Sequence, residues 1–306
     1  MKVISETTDF YIQEETAVAI GKFDGVHIGH RRLIEEILKE QEKGRKACIF
    51  TFDISPSALF GNPDEKLLTL REEKRRIFES LGIDILIEYP LTRTTAAIPP
   101  ELFIEEILAK KLNTKLVAAG EDLSFGAGGK GNAELLRKMA PLYGMEVAII
   151  EKIKLDDEEV SSTYIRETVE KGDMILAETL LEEPYFVTGT VVHGRALARS
   201  LGMPTLNIIP DKKKLLPPCG VYYAGVRLRN RYYQAICNVG YKPTVEQAEP
   251  VLMVESHLYD FSDNAYGEEI EVFLYAFKRR EEKFESVEAL KEQMEEDIAA
   301  GRLYER

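Results

Sequence analysis

Two histidines stand three residues apart in the run Gly21-Lys-Phe-Asp-Gly-Val-His27-Ile-Gly-His30. Imidazole N–H groups donate to phosphate oxygens, and Gly21, Gly25 and Gly29 let backbone approach a nucleotide closely. The run joins an apolar stretch at residues 17–21 to an amphipathic one at 31–42. In an open parallel sheet, ligands bind at such junctions, because a helix N-terminus offers unpaired N–H groups and the positive end of its dipole. The competing reading is a Gly-rich turn with two surface histidines, but only four histidines exist in the chain (27, 30, 193 and 257), and two fall here. A zinc site would need a third ligand that no motif identifies. Gly126-Ala-Gly-Gly-Lys130-Gly has the composition of a P-loop, yet Gly follows the lysine and Ser124 stands where the leading Gly belongs.

A second cluster lies in His193-Gly-Arg-Ala-Leu-Ala-Arg-Ser-Leu-Gly-Met-Pro204-Thr205-Leu-Asn207. On an extended segment Thr205 and Asn207 share a face and offer neutral oxygens to a hard cation such as Mg²⁺, although turn chemistry after Pro204 would use the same residues. Further on, Val254-Glu255-Ser-His257-Leu places a carboxylate in a β-like run. A charge there is costly unless paired or functional, so Glu255 is a candidate general base, the alternative being a solvent-facing strand residue.

The elements that must position these groups change character along the chain. Up to about residue 150, apolar runs at 17–21, 47–52, 83–89, 116–120 and 147–150 alternate with helix-like stretches at 31–42, 71–81, 101–111 and 133–143. Nearly continuous apolar strands alternating with amphipathic helices predict a doubly wound α/β domain with right-handed crossovers. After about residue 184, β-rich runs at 185–192, 221–227, 232–238, 252–259 and 269–277 follow one another across Gly, Pro and Asn turns, which predicts an antiparallel barrel or sandwich. A helix closes the chain, capped by Ser286, stopped at Gly301, and docking Val287, Leu290, Met294 and Ile298 on the barrel. The 306 residues suit two domains, with a boundary near 182–185. The 40 Lys and Arg against 53 Asp and Glu give a net charge of −13, which disfavours nucleic acid as a partner. Residues 1–15 lack the apolar core of a signal peptide and no window approaches 18 apolar residues, so a cytoplasmic protein without membrane contact is expected. Cys48, Cys219 and Cys237 form no CxxC pair and read as buried thiols. Nothing in the residues names a protein partner.

The His27-Ile-Gly-His30 run resembles the HxGH signature of nucleotidyltransferases, and the fuller GxFDGxHxGH is similar to the FAD synthetase half of bacterial bifunctional riboflavin kinase/FAD synthetases (FMN adenylyltransferases). Gly120-Glu-Asp122-Leu-Ser-Phe-Gly126 resembles that family's GEDFxFG, and Val160-Ser161-Ser162-Thr163-Tyr-Ile-Arg166 its SSTxIR phosphate loop. The second half looks like the family's flavokinase domain through its LGxPTxN loop, the GVY segment at 220–222, NxGxxPT from Asn238, and ExHLxDF from Glu255.

The resemblance implies a Rossmann-like nucleotidyltransferase domain at residues 1–183 and a flavokinase β-barrel with a terminal helix at 184–306. It implies phosphorylation of riboflavin by ATP to FMN, then adenylylation of FMN by ATP to FAD with loss of pyrophosphate, with Mg²⁺ on the phosphates. The implied catalytic groups are Glu255, His27 and His30. Gly21, Phe23, Asp24, Gly29, Asp122, Ser161, Ser162, Thr163, Arg166, Gly194 and Asn238 are the implied nucleotide or flavin contacts, and Thr205 and Asn207 the metal ligands. Ser55 stands where the family usually has His, Ser124 where Arg is common, and Tyr164 replaces the middle Arg of SSTRIR. In the second half Leu206, Ala198 and Lys242 also depart from the usual residues. Loss of two cations and an imidazole near a polyphosphate leads to the expectation that FAD forms more slowly than FMN. The alternatives are a monofunctional riboflavin kinase, a flavin- or nucleotide-sensing protein with a weakened first site, or a cytidylyltransferase, which would leave the second half unexplained.

Overall fold

The computed structural model describes residues 1–194, 201–242 and 250–305, and these divide into two compact units, Met1–Ser162 and Thr163–Arg306. In the first, six strands form one parallel sheet in the order β1-β4-β3-β2-β5-β6. They are β1 (Lys2–Ser5), β2 (Thr16–Ile20), β3 (Lys46–Phe52), β4 (Ile85–Tyr89), β5 (Thr114–Gly120) and β6 (Glu146–Ile150). β2 and β4 are buried along their whole length, as strands covered on both faces must be. The crossovers carry α1 (Ile28–Lys39), α2 (Pro56–Phe60), α3 (Arg71–Ser80), α4 (Pro100–Leu102) and α5 (Ala133–Met139). α1 buries Leu33, Ile34 and Ile37 against the sheet. Strand order reverses direction at β2, whose neighbours are β3 and β5, so the carboxyl ends of β2 and β5 flank the switch point.

Several elements differ from the sequence expectation. β1 pairs with β4 although only Val3 and Ile4 of its four residues are apolar and none of the four is buried, because an edge strand needs only its backbone to be held. The expected helix at 101–111 is a short α4 turn followed by a π-helical stretch, Phe103–Lys111, whose wider winding ends in a bond from Leu112 N–H to the Ile107 carbonyl. A two-stranded hairpin, β7 (Lys154–Leu155) and β8 (Glu158–Glu159), follows β6.

The second unit holds most of α6 (Ser162–Lys171), then α7 (Met174–Leu181) and a closed antiparallel barrel in the order β10-β13-β12-β11-β14-β9. Its strands are β9 (Tyr185–Val192), β10 (Leu206–Ile208), β11 (Gly220–Leu228), β12 (Arg231–Lys242), β13 (Val251–Leu258) and β14 (Glu269–Arg279). Three-residue β10 was too short to register as a run in the sequence, yet it closes the barrel by pairing with both β9 and β13. The terminal helix α8 (Val287–Arg302) is capped by Ser286 as expected but runs through Gly301. Gly301 is buried there, where a Cβ would strike Tyr259 and crowd Ile236. The helix also does not bury the expected apolar stripe: Val287 is half exposed, while Asp297 is buried. Asp297 accepts hydrogen bonds from Arg279 Nη2 at 2.6 Å and Lys278 Nζ at 2.8 Å, so an ion cluster rather than apolar packing anchors the helix. Cys48 and Cys237 are buried thiols, and Cys219 is only partly buried.

Candidate functional sites

In the first unit, β2 ends in a loop that folds back sharply. Phe23 sits in left-handed backbone (φ 51°) with its ring fully buried between Phe78 and His30, and a Cβ at Gly21 would press on that ring at 3.0 Å. A non-glycine residue at positive φ costs energy that the packing must offset. Phe23 therefore shapes the loop from beneath. Asp24 and Gly25 are tied to the segment before α3: Thr69 N–H donates to Asp24 Oδ1, and Gly25 N–H donates to Thr69 Oγ1, both at 3.1 Å. Ser162 Oγ donates to the Asp24 carbonyl at 2.7 Å, which brings the start of the SSTxIR segment onto the same loop.

His27 is the N-cap of α1 and lies stacked on His30, ring centroids 3.7 Å apart. Gly29 makes this stack possible, since a Cβ there would press on the His27 ring at 3.1 Å. His27 Nδ1 accepts from His30 N–H at 3.3 Å, so in the neutral ring the proton is on Nε2. His30 Nδ1 lies 3.0 Å from the Gly25 carbonyl, which can only accept, so Nδ1 carries the proton there. Burial pushes His27 down to about 2, with the neighbouring His30 adding to the effect. Burial likewise pushes His30 down to about 4, against the opposing pull of the Gly25 hydrogen bond and Asp122, while Lys74 lowers it further. Both rings are neutral at pH 7.

Asp122, largely exposed after β5, reaches this site through its charge. Lys74 on α3 was missed by sequence reasoning: its own pKa is lowered by burial despite Asp24 and Glu88 nearby, and no motif surrounds it. Ser161 is partly buried; Thr163, exposed, and Arg166, partly buried, follow Ser162 on α6 within the second unit. The departures are locally engaged. Ser55 Oγ accepts from Ala58 N–H as the α2 cap and donates to Glu65 at 2.7 Å. Ser124 Oγ donates to the Gly129 carbonyl within the glycine-rich turn.

In the second unit, strand register aligns the sequence-predicted groups in one row. Asn207 of β10 pairs with Glu255 of β13, Glu255 with Asn238 of β12, Asn238 with Val221 of β11, and Val221 with Arg279 of β14. All five line a cavity of about 250 Å³. Directly opposed residues bring their Cβ atoms to roughly 5 Å, so side chains far apart in sequence meet on one face. Asn207 is buried, and its Oδ1 has no hydrogen-bond donor; its Nδ2 lies 3.5 Å from Thr205 Oγ1. An orphaned neutral oxygen beside a hydroxyl fits a hard cation, and Gly194 leaves the room, since a Cβ there would stand 2.6 Å from Asn207. Asn238 Nδ2 donates to Glu281 at 2.9 Å. Glu255, partly exposed, is not a solitary charge, because it has an interaction partner, contrary to the picture of an unpaired carboxylate. His257, two residues on and on the same face, donates from Nδ1 to the Pro204 carbonyl at 3.0 Å, fixing the residue before Thr205. Leu290, Met294 and Ile298 of α8 form an apolar wall of the cavity. Glu281, Arg279 and this wall were not legible as site residues, because only barrel closure and helix docking bring them in. Ala198, residues 243 and 244, and the Lys242 side chain lie outside the described residues.

A parallel sheet with a histidine-capped switch-point loop, followed by a barrel around a polar row, defines a two-domain nucleotide-dependent transferase. Residues 10–164 match the family model described as FAD synthetase and residues 181–304 the one described as riboflavin kinase. The chain is 34% identical to a bifunctional riboflavin kinase/FMN adenylyltransferase of Bacillus subtilis, over 93% of this chain and 91% of that one. It is 35% identical to the protein of the same description in Escherichia coli K12, over 95% and 93%. The chain belongs to the bifunctional riboflavin kinase/FMN adenylyltransferase family. A crystal structure from Streptococcus pneumoniae described as a macrolide-efflux protein superposes with a TM-score of 0.88 and 28% identity over 99% of both chains. Among the described residues here, no helix is long and apolar enough to cross a membrane.

Proposed function

We propose that the two activities of this bifunctional enzyme divide between its two polar clusters. The chain phosphorylates riboflavin to FMN with ATP and adenylylates FMN to FAD, releasing pyrophosphate. The kinase domain is assigned to residues 184–306 and the adenylyltransferase domain to 1–183. The ATP that both steps consume puts the enzyme's work in the cytoplasm.

In the barrel, the apolar body of riboflavin lies along Leu290, Met294 and Ile298, with the ribityl chain toward the polar row. Glu255 takes the proton of the terminal hydroxyl as its oxygen attacks the γ-phosphorus of ATP and ADP leaves. Thr205 and Asn207 would hold Mg²⁺, which when bound would supply charge neutralisation on the phosphates. Gly194 and Asn238 shape the nucleotide and flavin contacts. The registered row Asn207–Glu255–Asn238 carries this reading, since it joins base and metal oxygens across three strands.

In the first domain, an FMN phosphate oxygen attacks the α-phosphorus of ATP. His27 donates from Nε2 at the N-terminus of α1, where developing charge meets the helix dipole. Gly21, Phe23, Asp24 and Gly29 set the loop. Asp122, Ser161 and Ser162 complete the nucleotide contacts of the first unit. Both family models match, so a monofunctional kinase or a sensor is not favoured. Incubation with riboflavin, ATP and Mg²⁺, followed by separation of flavins, should show FMN and then FAD. Absence of FMN, or of FAD from supplied FMN, removes the corresponding half of the proposal.

A further inference from the structure

We infer that ATP binding at the adenylyltransferase site takes up one proton from solvent, and that His30 Nε2 receives it. This deepens the adenylyltransferase reading above by placing His30, like His27, against the ATP phosphates, and rests on that reading. The two histidines of the motif are not equivalent donors. His27 Nδ1 is occupied by an incoming N–H, so its Nε2 already carries a proton and donates while the ring is neutral. His30 is the reverse: its Nδ1 proton is spent on the Gly25 carbonyl at 3.0 Å. The neutral His30 ring therefore presents a lone pair at Nε2, and a lone pair facing a phosphate oxygen is repulsive. His30 becomes a phosphate donor in this orientation only as an imidazolium, with both nitrogens protonated.

The surroundings keep that cation from existing before ATP arrives. His30 is stacked at 3.7 Å on His27 and packed against Phe23, so a charge there loses hydration, and only one of two stacked rings can carry it cheaply. The charged groups facing it are Lys74 of α3, which disfavours the imidazolium, and Asp122 after β5, which favours it; the Gly25 carbonyl favours it also. Burial dominates, and the free enzyme holds His30 unprotonated down to about pH 4. A polyphosphate supplies several negative charges at hydrogen-bond range, which raises the pKa in the complex. By linkage, whichever state binds more protons is favoured by acid, so ATP affinity falls as pH rises between the free and bound pKa values.

The enzyme contains its own control, because the kinase half also uses ATP. With FMN and ATP supplied, the KM for ATP in FAD formation should rise up to about tenfold per pH unit between pH 7 and the bound pKa, while the KM for ATP in FMN formation from riboflavin stays flat. Phosphate groups, with a second pKa of about 6, are already ionised over that range. In His30→Gln, whose amide N–H donates without a titration, the residual FAD formation should lose the slope. Calorimetry with a non-hydrolysable ATP analogue in two buffers of different ionisation enthalpy should show proton uptake that disappears in His30→Gln. A flat wild-type profile and no proton uptake, with FAD formation lost in His30→Ala, overturns the inference and leaves the phosphate contact standing. Unchanged FAD formation in His30→Ala removes both.

Discussion

Gly194 shows how a single residue without a side chain serves the kinase site. A Cβ at this position would lie 2.6 Å from Asn207 Nδ2, and Asn207 has no slack because it is buried. Gly194→Ala should therefore disturb the proposed metal oxygens without touching them chemically. The Mg²⁺ concentration needed for half-maximal FMN formation should rise roughly tenfold or more, the usual cost of displacing a ligand's support, with FAD formation from supplied FMN unchanged. An unaltered magnesium titration would make the Asn207 site structural. Glu255→Gln keeps the shape and removes the base. FMN formation should drop by about 10²-fold or more, with adenylylation intact. Equal loss of both activities would instead indicate misfolding. The residue types behind these predictions were readable in the sequence, including Thr205, Asn207 and Glu255. The protonated nitrogen on each histidine was not, since it depends on which backbone group lies opposite.

At the scale of elements, α8 is held to the barrel by Asp297, 7% exposed, accepting from Arg279 and Lys278. Burial alone would raise the Asp297 carboxyl, but the hydrogen bonds from Arg279 and Lys278 outweigh it and hold the pKa below the ordinary value. A depressed carboxylate stabilises the fold above its unfolded pKa, and that contribution is lost as pH falls through the folded value. Between pH 7 and 9 it is constant. Asp297→Ala leaves two cations without their partner and should cost about 3 kcal/mol or more in thermal or urea unfolding of the second unit. Because Leu290, Met294 and Ile298 of the same helix wall the cavity, the variant should also bind riboflavin less tightly. A variant as stable as the parent at pH 7 would refute the anchoring role. The helix itself was plain from its 3, 4, 4 spacing and Ser286 cap. Its docking was not, since an apolar stripe predicts a buried face but not that the face borders a cavity.

For the whole molecule, two units with separate cores imply that damage to one site spares the other. Replacing His27 and His30 together with Ala should lower FAD formation on the order of 10² to 10³-fold, the scale of a lost charge-stabilising donor, with kinase turnover within a few-fold and FMN accumulating. Loss of kinase turnover as well would mean that the units do not act independently. The sequence by itself determined the alternation of buried strands with amphipathic helices, the change to β-rich texture near residue 184, and the identity of the residues that carry chemistry, because periodicity and residue type are local properties. Tertiary structure decided what depends on neighbours remote in the chain. It aligned Asn207, Glu255 and Asn238 across three strands, brought Lys74 within electrostatic reach of His30, and let three-residue β10 close the barrel. Register and charge environment arise only when separate segments pack, and no local pattern encodes them.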